Sequence, residues 1–584
     1  MIQGTATPDA TENLQPHFLG FGHLIADWRP PRLDMVRPLS FSRLICALEA
    51  FLQTATGWWL TFFVLCGLLL VPLAIADFPP ILDYPNHLAR WFILARAEHD
   101  AILDRIWEPH WAVIPDLGAD LLAPTLLRWL GPFAAGKVIL ALALLTPMFG
   151  AVIYSRALFR ERLYWPLSAA LSAYNLLFLL GFINYLVSLG GALASAGVWL
   201  RLRNGPLSVR IITGSACACG LFFVHLFGVA YFGLLVGAAE LSAIIPQVRS
   251  KETNYREIRS AVFVLVGSFA GPFILMHLAA RSPHTVMYGW ELPLKLLFLA
   301  GPFMAYHAIP GLLAATAFSV AVGAWLSARS ATLGPGTAAI VLVLLVGYVV
   351  LPFAIGGGTF VDSRLPLMLV LVLSAGLRPR GCSSTKRRCV AGIVSLGFAI
   401  AWVSVALVLA SPNVEAAELR ASIADVPPGS RVLVVSPQPE AGVGYWQHAS
   451  VRVLAIGMLN ISYQLPALLV IDRHAFWPLL FSDPSQHPIR VRPPYDALSV
   501  PQGVPPDIRS LTAERSLDPK WPAPYLANWP ERYDFVLVIN AGAVPKLQSL
   551  LPANLESINH SRFAALFRVR RAENAAQGRA NAPE

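Results

Sequence analysis

From residue 57 to residue 410 the chain repeats one feature, apolar runs of about 20 residues beginning with GWWLTFFVLCGLLLVPLAIA at 57–76. A helix rises 1.5 Å per residue, so each such run covers the hydrocarbon thickness of a bilayer, about 30 Å. Lipid offers backbone groups no partners, so the runs must pair their own amides and carbonyls as helices. Composition agrees: 56% of the 584 residues are hydrophobic and 13% are charged, against roughly 25% charged in soluble domains. Spans are expected near 57–76, 134–155, 164–182, 185–200, 208–224, 226–246, 261–280, 308–327, 335–355, 364–377 and 390–410, about 11 in all. The fold expected is a polytopic α-helical membrane protein. Residues 1–50 are too polar and too long to be a cleaved signal and read as a cytoplasmic tail, with the membrane domain over 51–410.

Charge orients the spans. With the N-terminus cytoplasmic, the inner segments hold 20 basic residues, among them Arg156, Arg201, Arg210, Arg256, Arg378 and Lys386, and the outer ones hold 8. That is the asymmetry of the positive-inside rule. Counting LPLKLLFLAGPFMAYH (292–307) as a span would invert the cluster at 378–388, so it reads as a helix at the outer interface. An odd span number then puts residues 411–584 outside, as an extracytoplasmic α/β domain. Short β-rich runs at 431–436, 451–456, 466–471 and 533–539 and a helix at 544–551 are expected there, with a long ordered loop over 483–530. The Arg-, Ala- and Leu-rich chain suggests a bacterial cytoplasmic membrane, with this domain periplasmic. The net charge of +10 does not mark a nucleic-acid binder, because the basic residues lie between spans rather than in one groove. None of the six cysteines has zinc-site company, and all read as structural.

The outer loop 77–133 is long enough to be functional. Its stretch DYPNHLAR sets Asp83, His87 and Arg90 at i, i+4 and i+7, one face of a helix started by Pro85. Two accounts stand. Asp83 caps the helix while His87 and Arg90 snorkel, or the three form a polar site at the lip of the first span.

The order and sidedness of several motifs resemble the GT-C superfamily, polytopic glycosyltransferases that use lipid-linked sugars and include oligosaccharyltransferases and protein mannosyltransferases. DYPNHLAR resembles the acidic motif of the first outer loop, with Tyr84 where many relatives carry a second acid. IPDLGADLLAPTLLRWLG is similar to the proline-led segment after it, and DSRLPLMLVLVLSAGL (362–377) to the late span led by arginine and proline. The resemblance covers 57–160 and 360–378 and leaves the C-terminal domain aside.

It implies an inverting transfer of a sugar from a polyprenyl-phosphate donor, within membrane lipid, to a glycan, lipid or protein acceptor on the outer face. Such a reaction needs a base for the acceptor hydroxyl and a cation for the departing phosphate. Asp83 is the implied base, with Asp77 second, and Arg364 the phosphate ligand, unless Asp362 pairs with it. His87 and Arg90 would orient Asp83 or touch phosphate. A divalent cation, Mg or Mn, would be held by Asp83 with Asp116 or Asp120. His225, between two apolar runs, and Tyr288, Trp290 and Glu291 are further substrate-binding candidates, though a turn histidine and an aromatic interfacial belt are the commoner accounts of such residues.

A lipid or polysaccharide transporter and a non-enzymatic envelope assembly protein are the rival readings. Transporters carry repeated halves and ionisable residues at mid-bilayer. No internal repeat is visible, and Glu240 is the one acid within a span.

Overall fold

The computed structural model describes residues 48–249, 255–279, 288–290, 292–327, 330–355, 358–381, 383–437, 460–517, 522–544 and 546–571. The run expected as a strand at 451–456 lies outside them. Residues 1–57 and 58–584 form two separate units, and the second holds every strand described below.

Among the described residues, eight helices are long and apolar enough to cross a membrane: Ala55–Ile75, Pro132–Phe159, Ile183–Leu202, Leu207–Val224, Leu226–Pro246, Tyr255–Leu278, Ala308–Ser327 and the one opening at Ser384. Each matches an expected span. The other three expected spans are short helical pieces. Residues 164–182 form a 3-10 segment, Trp165–Ser172, and a helix, Leu176–Leu180, broken where Asn175 caps the second piece. Residues 335–355 give Thr337–Val350 and 364–377 give Leu365–Gly376. These pieces are shorter than a bilayer is thick. Their interruptions are tolerated where neighbouring helices rather than lipid surround them, and ten of the twelve residues of Leu365–Gly376 are buried.

Close helix packing depends on small residues. Gly150 of Pro132–Phe159 and Gly190 of Ile183–Leu202 face one another so closely that a Cβ on Gly190 would lie 2.2 Å from the Thr146 carbonyl oxygen. Without a hydrophobic drive between helices in lipid, such contacts replace it.

The segment ends sort into two layers. One layer is basic: Arg201 donates to the Arg156 carbonyl, Arg378 pairs with Glu161, Arg210 with Glu240, and Lys386 bonds Ser330. The opposite layer joins Lys137 to the Ala76 carbonyl, Tyr306 to that of Pro80, and Asp77 to the Asn413 backbone. The Leu292–Leu299 helix stays in the second layer, with Leu292 and Leu296 exposed and Lys295 turned inward.

The C-terminal region also sits on the second layer. Its four-stranded sheet runs Val432–Val435, Phe535–Ile539, Ala564–Val569, Leu555–His560, the first pair parallel and the others antiparallel. Two expectations fail here. Residues 466–471 are not a strand but continue a 3-10 turn, Ile461–Ala467, into the helix Leu468–Arg473, because Asn460 accepts from the Ser462 N–H and starts a helical turn. A short apolar run does not by itself tell a buried strand from a buried helix. The helix expected at 544–551 is one 3-10 turn, Leu547–Leu550. The outer loop and this region share structure: Trp107–Pro109 pairs antiparallel with Ile489–Val491, and Asp100, Asp104 and Glu108 pair with His474 and Arg492.

Candidate active site

The Tyr84–Arg96 helix begins where the sequence expects, with Pro85 in its first turn and its fixed φ suited to that position. Asp83 occupies the N-cap position, yet its carboxylate caps nothing; the Asp83 carbonyl takes the His87 N–H instead. The capping account therefore fails, and the carboxylate accepts no hydrogen bond from a described group. Backbone bonds from Leu82 and Asp83 to the carbonyls of Leu179 and Leu180 hold the residue against the end of Leu176–Leu180. Gly181 ends that helix with φ +95°, and a Cβ there would stand 2.9 Å from the Asp83 Cβ. Only glycine suits both the left-handed turn and the approach. Burial pushes the Asp83 carboxyl up to about 7, with the Arg90 charge opposing.

His87 and Arg90 do not snorkel. The His87 Nε2–H donates to the Gly181 carbonyl at 3.2 Å, and the ring stacks on Trp91 with centroids 5.9 Å apart. Arg90, 1% exposed, grips both oxygens of the wholly buried Asp120 at 2.8 and 3.2 Å. Asp116 presents its backbone carbonyl to the Asn184 amide at 2.7 Å, while the Asn184 side-chain oxygen accepts from the Ala119 N–H. Asn184 is thus more than a turn residue: it ties the loop to the Ile183–Leu202 helix. One Asp116 oxygen is buried without a partner, and burial and the Asp120 charge push its carboxyl up to about 7 against the pull of Asn184, Arg90 and Arg364.

Arg364 stands at the start of Leu365–Gly376 inside an aromatic collar, its guanidinium 4.7 Å from the Phe182 ring centre, 4.8 Å from Phe227 and 5.4 Å from Tyr185. Nη1 lies 3.0 Å from His225 Nε2, and Nε is buried and unbonded. Among the described residues no carboxylate comes within ion-pair distance of it. Asp362, the expected rival partner, turns away to Lys295 at 2.6 Å, because Lys295 also satisfies the Tyr348 and Leu351 carbonyls at the end of Thr337–Val350. Asp83 and Arg364 thus flank one turn, the first packed on Gly181 and the second on Phe182.

Other candidates fall elsewhere. Asp77 is occupied, accepting from the Phe78 and Asn413 N–H groups, and serves as a joint between the first span and the C-terminal region. Trp290 is exposed and reaches the Val350 carbonyl; Tyr288 pairs its backbone with Ile355; Glu291 lies outside the described residues. Of the carboxylates expected to hold a divalent cation, Asp120 gives both its oxygens to Arg90, and among the described residues no group of three or more His, Cys, Asp or Glu side chains gathers.

Sequence reasoning missed the contribution of the C-terminal region. Asn86, fully buried, bonds Gln464, the Leu479 carbonyl and the Phe481 N–H, clamping that region onto the helix. Phe481 then meets His87 edge-on and stacks on His487, which lies within electrostatic reach of Arg90 and His87. Some 400 residues separate these partners, and no periodicity links them.

No family model and no curated protein sequence matches the chain. Among solved structures it is similar to ArnT from Cupriavidus metallidurans bound to undecaprenyl phosphate, at 14% identity over 88% of this chain and 98% of that one, with a TM-score of 0.47. It is also similar to the arabinofuranosyltransferase AftD from Mycobacteria, at 14% identity over 88% of this chain and 40% of that one, with a TM-score of 0.44. At these identities the likeness is one of chain course alone.

Proposed function

We propose that the protein is a membrane glycosyltransferase that moves a sugar from a polyprenyl-phosphate donor to a glycan, lipid or protein acceptor, in the layer that carries the C-terminal region. The basic layer faces the cytoplasm on this reading, and the reaction lies on the outer face. One observation carries the proposal: among the described residues, an unpaired carboxylate, Asp83, and a guanidinium without a counter-ion, Arg364, flank the turn at Gly181 and Phe182. The ordered motifs that resemble the GT-C superfamily support the same reading.

In the reaction, Asp83 takes the proton from the acceptor hydroxyl. The freed oxygen attacks the anomeric carbon as the bond from that carbon to the donor phosphate oxygen breaks, and in-line attack inverts the centre. The leaving phosphate carries the bonding pair away. Arg364 meets its charge through Nε and Nη groups suited to paired hydrogen bonds. The aromatic collar partly shields the guanidinium from water, which strengthens that attraction.

The test is the lipid-linked sugar pool of a strain lacking the protein. Accumulation of one polyprenyl-linked monosaccharide, reversed by the wild-type chain and not by Asp83→Asn at equal protein level, is the expected result. Unchanged pools together with a silent Asp83→Asn would overturn the reading in favour of transport or assembly.

A further inference from the structure

The buried face of the Leu292–Leu299 helix carries two residues that the reaction does not use, Lys295 and Phe298, three apart and therefore side by side. Lys295 has a partner for each of its three protons. Its Nζ donates to the Tyr348 and Leu351 carbonyls at 2.8 Å and to Asp362 Oδ2 at 2.6 Å, while the Tyr348 hydroxyl donates back to the Lys295 carbonyl. Asp362 opens the 3-10 turn Asp362–Arg364, and its other oxygen accepts from the Ser363 N–H and hydroxyl. One buried ammonium thus ties that turn to the end of Thr337–Val350, two residues before the guanidinium of Arg364. Phe298 makes a second connection. Its ring lies 6.1 Å from Phe353 and 5.7 Å from Phe360 between centroids, and Phe360 meets Phe182, the nearest ring of the Arg364 collar, at 5.9 Å. Phe360 has φ +57°, a left-handed backbone that a bulky residue keeps only where its neighbours hold it.

We propose that Lys295 is a positioning residue for Arg364: through Asp362 it fixes the turn that carries the guanidinium, while Phe298 of the same helix braces the ring on which the guanidinium rests. The effect on sugar transfer rests on the glycosyltransferase reading; the dependence of Arg364 on Lys295 does not. A buried ion pair kept for stability alone can be replaced by apolar residues at little cost. A tie that holds a third group in place cannot, so the two roles separate.

The test uses the full chain in lipid nanodiscs with Lys295→Met and Asp362→Leu combined, which leaves no buried charge unpaired. Lys295→Met with Asp362→Asn, which keeps an acceptor for the Ser363 N–H, is the second variant and carries the same expectations. The unfolding temperature should stay close to that of the wild type. Phenylglyoxal modification of Arg364, read by peptide mass spectrometry against the other arginines, should quicken about threefold or more as the guanidinium leaves its collar, and sugar transfer should fall about 10–10²-fold, as misplacement of a reacting group does. In an Arg364→Gln background the same pair of substitutions should cost nothing further, because the effect passes through Arg364. Modification or transfer at the wild-type rate in a stable variant would assign the pair to stability and overturn the proposal. Loss of stability in both variants, or losses that add to that of Arg364→Gln, would overturn it too. If Arg364 responds as expected while a strain lacking the protein keeps unchanged lipid-linked sugar pools, the glycosyltransferase reading fails and the positioning stands; altered pools with unaltered modification are the converse.

Discussion

The carboxyl of Asp83 gives a test in which activity and stability move in opposite directions. A free aspartate titrates near 3.9, and burial raises Asp83 to about 7. A base must be ionised to accept a proton. At pH 6 such a group is about one-tenth ionised and at pH 8 about nine-tenths, so turnover should rise nearly tenfold between them and level off above. Stability runs the other way. The folded state binds a proton that the unfolded chain has released between about pH 4 and 7, so the stabilising contribution is complete below pH 4 and is lost as pH rises through 7. Three pH units correspond to up to about 4 kcal/mol, reduced by the exposure that Asp83 retains. Asp83→Asn, which cannot ionise, should therefore lose transfer activity by about 10²–10⁴-fold. It should also unfold at a higher temperature than the wild type at pH 8 and at a similar temperature at pH 4. The assays are sugar transfer by the reconstituted full chain from pH 5.5 to 8.5 and thermal unfolding in the same buffers. A flat profile in the wild type, or Asp83→Asn less stable at pH 8, would refute the assignment of an unpaired, partly buried carboxylate.

Arg364→Gln should reduce turnover by about 10²–10³-fold, as removal of a charge-stabilising donor does, and Arg364→Lys should recover little because a point charge cannot form the paired bonds; transfer rates measured at saturating donor decide this. Arg90→Met alone should cost about 3–5 kcal/mol by leaving Asp120 buried and unpaired, whereas Arg90→Met with Asp120→Leu should recover most of it; unfolding in detergent gives the comparison. Gly181→Ala should displace Asp83 and lower turnover while leaving the aromatic collar of Arg364 in place, and a variant with wild-type turnover would show that the 2.9 Å approach does not set the position of Asp83.

The sequence by itself determined that the body is a bundle of apolar helices of membrane-crossing length, because span length and apolar composition are local or additive properties. It also marked Asp83, His87, Arg90 and Arg364, since helical spacing and span edges are visible in one dimension. What those side chains do was decided in three dimensions. Whether Asp83 caps its helix depends on a glycine-ended turn about 100 residues away, and whether Asp362 neutralises Arg364 depends on Lys295 from another element. Asp77 and Asp120 look as available in the sequence as Asp83 does, yet the fold assigns each a partner. The bond from Asn86 to Gln464 carried no signal, because it arises only where the C-terminal region settles on the first outer helix. Ionisation and pairing follow from distance and burial, and neither is a property of the chain until it has folded.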